Sequence, residues 1–258
     1  MVKRIEIQWS YSPEEVLEQT YEYSHDNFTL KIYEGKARII FENPDFKAEE
    51  IDRDMVEEKY KPYVLKALYA LGMMIEDKIN ISSGFSKEQI NDDGSKHVFV
   101  SPEPVSVSVS TSVAEVVIKD SEGNVIESSQ ERRINRRDNF VNKVLNYGID
   151  DSTLQQLLIS YNNSLLDLEN EFFYLYEIRE GIKGELGSSP CDVLNISSKK
   201  CSELGRISNA EPYKEGRHRG NFNLGELKPA PKSEKNKARK IARKMIEEYI
   251  EYLKNESR

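Results

Sequence analysis

Between Leu154 and Leu186 apolar residues recur at alternating steps of four and three: Leu154, Leu158, Tyr161, Leu165, Leu168, Phe172, Leu175, then Ile182 and Leu186. That rhythm keeps one stripe on one face of a helix and marks the seam of a coiled coil or helical bundle. With Asp151-Ser152 as a capping signal and Gly187-Ser188-Ser189-Pro190 as a stop, the spacing predicts one helix from about Thr153 to Leu186. The residue completing the series between Leu175 and Ile182 is Arg179. A cation on a buried stripe must be paired or reach solvent, because an isolated buried charge is very costly. Either its long side chain carries the charge to the helix edge, or Arg179 faces a polar pocket within the bundle. The seam, with Leu168 as a core position, is expected to pack on the last helix and bury Met245, Tyr249 and Leu253.

The remainder of this half is also helical in pattern. A shorter helix is expected from roughly Ser197 to Asn209, and Pro229 and Pro231 precede a last helix that Ser233 can cap. Ala238, Ile241, Ala242, Met245, Ile246, Tyr249, Ile250 and Leu253 form its apolar face. Its first half carries Lys235, Lys237, Arg239, Lys240, Arg243 and Lys244, cations that oppose the helix dipole there. A bound polyanion would offset that cost; a solvated face is the alternative.

Between these helices lies Gly216-Arg217-His218-Arg219-Gly220, two guanidiniums and one of three histidines set among glycines. Arginine offers a planar fork that matches phosphate, histidine changes charge near neutral pH, and glycine lets a ligand approach the main chain. The stretch reads as an anion site or as a solvated basic loop. Charge distribution bears on the choice. The chain carries −8 overall, yet from Lys199 to Lys244 fourteen Lys and Arg stand against five Glu and no Asp. The excess of +9 leaves the rest of the chain at −17, an asymmetry suited to an anionic partner.

The first half reads as strands. Ile5, Ile7 and Trp9 alternate with Arg4, Glu6 and Gln8. Ser12-Pro13-Glu14-Glu15 suggests a short capped helix. Phe28, Leu30 and Ile32 share one face, Glu34-Gly35 turns the chain, and Ala37, Ile39 and Phe41 share a face on the return. Asp52 to Ile75 looks helical with a break or kink at Pro62, and Met73 and Met74 read as core filling. His25 and His97 read as structural, and Asn91-Asp92-Asp93-Gly94 as a turn. Further strands are expected at Val105 to Val109 and, as a hairpin, at Val113 to Ile118 with Val125-Ile126. Arg132, Arg133, Arg136 and Arg137 read as a basic connector before a helix from Asp138 to Tyr147 that stops at Gly148. The expectation is an α+β chain: a β-rich domain over 1–130 and an all-α bundle over 131–258.

Cys191 and Cys201 cannot complete a four-ligand zinc site and read as buried or idle thiols of a reducing compartment. No phosphate-binding glycine loop, zincin motif or nucleophile elbow occurs, so neither metal nor cofactor is expected. The first residues lack the apolar core of a signal peptide. The longest apolar stretch, near Tyr63 to Ile75, is interrupted by Lys66 and too short to span a bilayer. The expectation is a cytoplasmic protein with no membrane segment.

The helical half, with EFFYLYEIREGIKGEL on a long helix, a shorter helix, an Arg/His loop and a basic last helix, resembles the HEPN superfamily, especially its Apea-like branch. It also resembles uncharacterised microbial proteins with an Arg-His-Ala-type motif before the last helix. The likeness covers about Asp151 to Arg258. It implies a HEPN-like bundle, a homodimer, and binding of RNA or nucleotides. In active members an Arg and a His four to six residues apart cleave RNA without metal, some in defence or stress systems. Here Arg217 adjoins His218 and Arg206 lies twelve residues before it, so the spacing departs from that pattern. Carried over, the resemblance gives His218 and Arg217 catalytic roles. Arg179, Arg219, Lys235, Arg239 and Arg243 would bind the anion, with Glu177 in support. The alternative is a non-enzymatic interaction protein whose helical domain dimerises and whose β-rich domain binds a partner; it expects Arg217 and Arg219 to pair with Glu177 or Glu180.

Overall fold

The computed structural model describes residues 1–100, 117–119, 125–187, 189–217 and 226–256. It is an α+β chain, with an antiparallel sheet in its first hundred residues and helices in its C-terminal half. By internal contacts it divides into two compact units, Met1–Leu71 with Ile79–Asn142, and Gly72–Lys78 with Lys143–Arg258.

In the first unit β1 (Val2–Ser12) is the central strand. It is followed by β2 (Tyr21–Ser24), β3 (Thr29–Tyr33) and β4 (Lys36–Glu42). Next come α1 (Arg53–Met55), a π-helical turn at Val56–Tyr60, and α2 (Lys61–Ile75). Then follow β5 (Asn80–Ile81), β6 (Ser86–Asn91) and β7 (Lys96–Val100). The sheet runs β2-β3-β4-β1-β6-β7, with β5 paired to the end of β1. Register places Ile5, Ile7 and Trp9 opposite Phe41, Ile39 and Ala37, and all six are buried. Their alternating neighbours form a polar face, where Arg38 reaches Gln8 at 2.7 Å and Glu6 at 3.3 Å. Glu34 and Gly35 both have positive φ, which fits a two-residue hairpin turn between β3 and β4.

Aromatic edges pack α2 and its leading turn on the sheet. Tyr60 meets Phe28 and Phe41, and Tyr63 meets Phe28 at 5.0 Å between centroids. Pro62 does not break the helix. It lacks an N–H and its ring would collide with a carbonyl one turn back, but the π turn relieves that crowding, with the Lys61 N–H reaching Val56 O five residues behind. His25 stacks on Phe28 at 4.5 Å, a structural place. The expected helix at Ser12 shrinks to one 3-10 turn, Glu14–Val16, without a side-chain cap.

Short strands β8 (Val117–Lys119) and β9 (Val125–Ser128) pair with each other. The expected strand at Val105 to Val109, and Val113 to Val116 of the next one, lie outside the described residues. The basic connector is instead helical: α3 (Ser129–Tyr147) includes all four arginines. Within the first unit it is tied down by Arg133 to Glu18 at 2.8 Å and by the Tyr21 hydroxyl donating to Asn142 Oδ1 at 2.8 Å.

The single long helix is overturned. The structure has α4 (Ser152–Leu166) and α5 (Glu171–Leu186), an antiparallel helical hairpin. Thr153 meets Glu185 and Ser160 meets Glu177, each across 3.1 Å. Between the helices Asn170 gives its side-chain amide to Asp167 Oδ2 at 2.6 Å and its backbone N–H to Asp167 O at 3.1 Å. Asp and Asn compete with helical bonding in this way, so the stripe is folded back at a local turn. Leu168 falls on that turn and is 53% exposed, not core. Leu154, Leu158, Tyr161, Phe172, Leu175 and Ile182 are buried as expected.

After the hairpin come α6 (Pro190–Val193), α7 (Ser198–Gly205) with a π turn at Arg206–Ala210, and α8 (Lys232–Glu256). Cys191 and Cys201 are not idle thiols: they form a disulfide joining α6 to α7. Ser233 lies inside the first turn of α8 rather than capping it, and Pro231 O accepts from the Glu234 and Lys235 N–H groups. Met245 and Tyr249 are fully buried in the helical unit, whereas Leu253 is only half-buried. Among the described residues no helix is long and apolar enough to cross a membrane.

Candidate anion-binding site

On α5, Tyr176 and Arg179 stand three residues apart and so share a face. Arg179 Nη1 donates to the Tyr176 hydroxyl at 2.9 Å, and its guanidinium lies 5.3 Å from the centre of that ring. Arg217, thirty-eight residues beyond Arg179, brings its own guanidinium to 4.9 Å from the same ring. Tyr176 is buried, Arg217 is exposed, and the Arg179 side chain keeps 28% of its surface. Two cations beside one aromatic ring can gain from its quadrupole, but like charges so gathered repel each other. Among the described residues Arg179 has only a loose carboxylate neighbour, Glu180 at 3.6 Å. Arg217 has no carboxylate partner among the described residues. The pair therefore leaves uncompensated positive charge at solvent.

The backbone that delivers Arg217 is closely held. Lys214 N–H donates to Lys228 O at 3.0 Å, and Lys228 N–H to Pro212 O at 2.9 Å, fixing the neck of the intervening segment. Arg217 N–H donates to Ser208 O at 2.9 Å. Gly216 packs closely here: a Cβ would stand 3.0 Å from Tyr213 O, a tight contact with backbone. Arg179 also lies beside Gly205, its Nη1 3.5 Å from the place a Cβ would take, an ordinary contact distance. His218 and Arg219 lie outside the described residues.

Not every expected residue joins Arg179 and Arg217. Glu177 accepts from Ser160 on α4 instead. Lys235, Arg239 and Arg243 are engaged with carboxylates of their own unit. Arg239 Nε donates to Glu171 at 2.6 Å, and Lys235 Nζ lies 2.7 Å from Glu215. Arg243 spans Glu247 at 3.0 Å, Glu76 at 3.5 Å and the sulfur of Met74 at 3.2 Å. Arg206 is held by Glu211 and Glu234.

These pairings carry electrostatic signatures. Burial pushes the Glu171 carboxyl up, and the neighbouring Arg239 and Lys235 only partly restrain it. Burial works the same way on Glu215, but the Lys235 ammonium and the Ala230 N–H outweigh it and hold that carboxyl low. Burial also raises the Tyr161 hydroxyl. Tyr161 Oη and Glu171 Oε2 are both buried without a hydrogen-bond partner among the described residues.

Sequence reasoning missed Tyr176 as the platform that gathers the two arginines. The i, i+3 relation to Arg179 was the available signal. It also missed Glu171, whose place in the first turn of α5 was hidden by reading the hairpin as one helix. Among the described residues no group of three or more His, Cys, Asp or Glu is placed to hold a metal. Comparison of the chain with protein-family models, with curated proteins and with solved structures finds no match.

Proposed function

We propose that the helical unit binds RNA, with Arg179 and Arg217 as its phosphate contacts. The observation that carries this reading is the convergence of both guanidiniums on Tyr176 with so little carboxylate compensation. Guanidinium forks suit phosphodiester oxygens, and a phosphate between them would remove their mutual repulsion. The HEPN resemblance of this half and the +9 excess over 199–244 support the same reading. In a cleaving form, His218 would take the proton of a ribose 2′-hydroxyl as that oxygen attacks the adjacent phosphorus and the 5′-oxygen leaves. Arg217 would hold the charge that develops on the phosphoryl oxygens. The unit would act as a homodimer.

A second reading, a non-enzymatic interaction protein, is favoured by one observation: Lys235, Arg239 and Arg243 bind internal carboxylates and serve the bundle itself.

Fluorescence anisotropy with a single-stranded RNA oligomer tests the first reading. Replacing Arg179 and Arg217 together with Ala should weaken binding by roughly ten- to a hundredfold and reduce the slope of affinity against salt. Unchanged affinity and slope would assign these arginines to structure alone. RNA cleavage in chelator that His218→Ala abolishes would identify the enzyme; no cleavage leaves a binder.

A further inference from the structure

A groove of about 440 Å³ lies between α8 and α7 with the residues leading into α7, all within the helical unit. Its floor is aliphatic, made by Ile196 and Ile241, and the stems of the surrounding lysines extend that surface. Ser233 and Asn236, both exposed, continue the wall toward the start of α8. The charged lining is four lysines and one carboxylate, Glu203. Glu203 reaches across to Lys237 at 3.1 Å, and Glu234 meets the same ammonium at 3.4 Å, so Lys237 is neutralised. Lys244 pairs with Glu248 one turn along α8, a surface contact of little strength. Lys200 and Lys240 are exposed, and neither has a carboxylate within ion-pair reach among the described residues.

These features select among anionic partners. Lys240 and Lys244 are four residues apart on α8, about 6 Å along its axis. Carboxylates four residues apart on a partner helix have the same spacing. An aliphatic residue between them would cover Ile196 and Ile241, as amphipathic helices do in grooves of this kind. Glu203 works against a nucleic-acid strand, which carries a negative charge at every unit and would set one beside that carboxylate. A peptide can place a neutral residue there instead. We infer that the groove docks an acidic amphipathic helix of a protein partner. Its carboxylates meet Lys200, Lys240 and Lys244, and its aliphatic face lies on Ile196 and Ile241. The inference does not depend on the RNA reading, since neither Arg179 nor Arg217 lines the groove.

The wall that carries Ile196 and Lys200 is held in advance. Both residues fall inside the loop closed by the Cys191–Cys201 disulfide. A wall with less freedom loses less entropy when a partner docks.

Fluorescence anisotropy with the full, oxidised chain tests the docking. The probe is a labelled peptide of about fifteen residues, long enough for partial helicity. It carries leucines on one face, glutamates flanking them and alanine elsewhere. Two controls replace its glutamates with glutamine or its leucines with serine. The parent peptide should bind one-to-one and about tenfold more tightly than either control. Lys200→Ala with Lys240→Ala should weaken it by about tenfold or more at unchanged melting temperature. Arg179→Ala with Arg217→Ala should leave it unaltered, which separates this surface from the RNA site. Lys200→Glu with Lys240→Glu should switch the preference to the same peptide carrying lysine for glutamate, a result that loss of folding would not produce. The inference is overturned if the parent peptide does not bind at millimolar concentration, if either control binds as well, or if the lysine pair can be removed without effect. A single-stranded RNA oligomer that binds through Lys200 and Lys240 more tightly than the peptide would overturn it too.

Discussion

Arg239 on α8 donates its Nε–H to Glu171 Oε1 on α5 across 2.6 Å, and the carboxylate it meets is completely buried. Arginine is suited to this place because its guanidinium is weakly hydrated and stays charged. The contact joins the first turn of α5 to a helix whose cationic residues, read in sequence, face a foreign anion.

Glu171→Ala should therefore destabilise the protein by about 3 kcal/mol, because it strands a largely enclosed guanidinium. Replacing both partners with apolar residues, Glu171→Leu with Arg239→Met, should recover most of that loss. Urea denaturation of the two single variants and the pair measures the coupling. A double variant as unstable as the sum of the singles would show that the two residues act separately.

Glu171 and Glu215 should respond oppositely to acid. Burial raises Glu171, so its contribution favours the folded state below the ordinary glutamate value and is lost as pH rises through the raised value. Glu215 is held low, so its contribution is present above the ordinary value and is lost as pH falls through the lowered one. Stability profiles of Glu171→Gln and Glu215→Gln against the parent, taken from neutral into acid, should diverge with opposite slopes. Parallel profiles would contradict the pairing of Lys235 with Glu215.

The turn between α4 and α5 separates two leucines that look alike in sequence. Leu158→Ala should cost roughly 2–5 kcal/mol, the usual range for a filled core site. Leu168→Ala should change stability by no more than about 0.5 kcal/mol, since its side chain is largely in water. Denaturation midpoints check both. A large loss at Leu168 would restore the continuous helix.

Reducing the Cys191–Cys201 bond, or replacing both residues with Ser, should lower stability by roughly 2–3 kcal/mol through the added freedom of a short unfolded loop. Thermal unfolding with and without reductant provides the measurement. The replaced form should be indifferent to the reductant.

What could be read from the sequence was local. The β3–β4 hairpin followed from Phe28 to Phe41 because alternation and a two-residue turn are complete within fourteen positions. The buried face of α8 followed from its own periodicity. The fold-back at Asp167 and Asn170 was hidden because the four-three rhythm runs through it unbroken, the step from Leu165 to Leu168 falling at the turn. Only the side-chain chemistry of Asp and Asn marked it. The inward roles of Lys235, Arg239 and Arg243 were illegible because their acidic partners include Glu171, Glu215 and Glu76, remote along the chain. Arg179 and Arg217, both assigned to the site by the resemblance, lie beside Tyr176, whereas Glu177 turns to Ser160.

Gly72–Lys78 is counted with the helical unit although residues 79–142 lie between it and Lys143. Met74 and Glu76 from that short stretch receive Arg243 of α8. The helical unit is consequently not one exon-like block. A gene fusion or truncation that starts at Lys143 would transplant Arg243 without its two hosts. Any exchange of this unit between proteins must move both pieces to keep that contact.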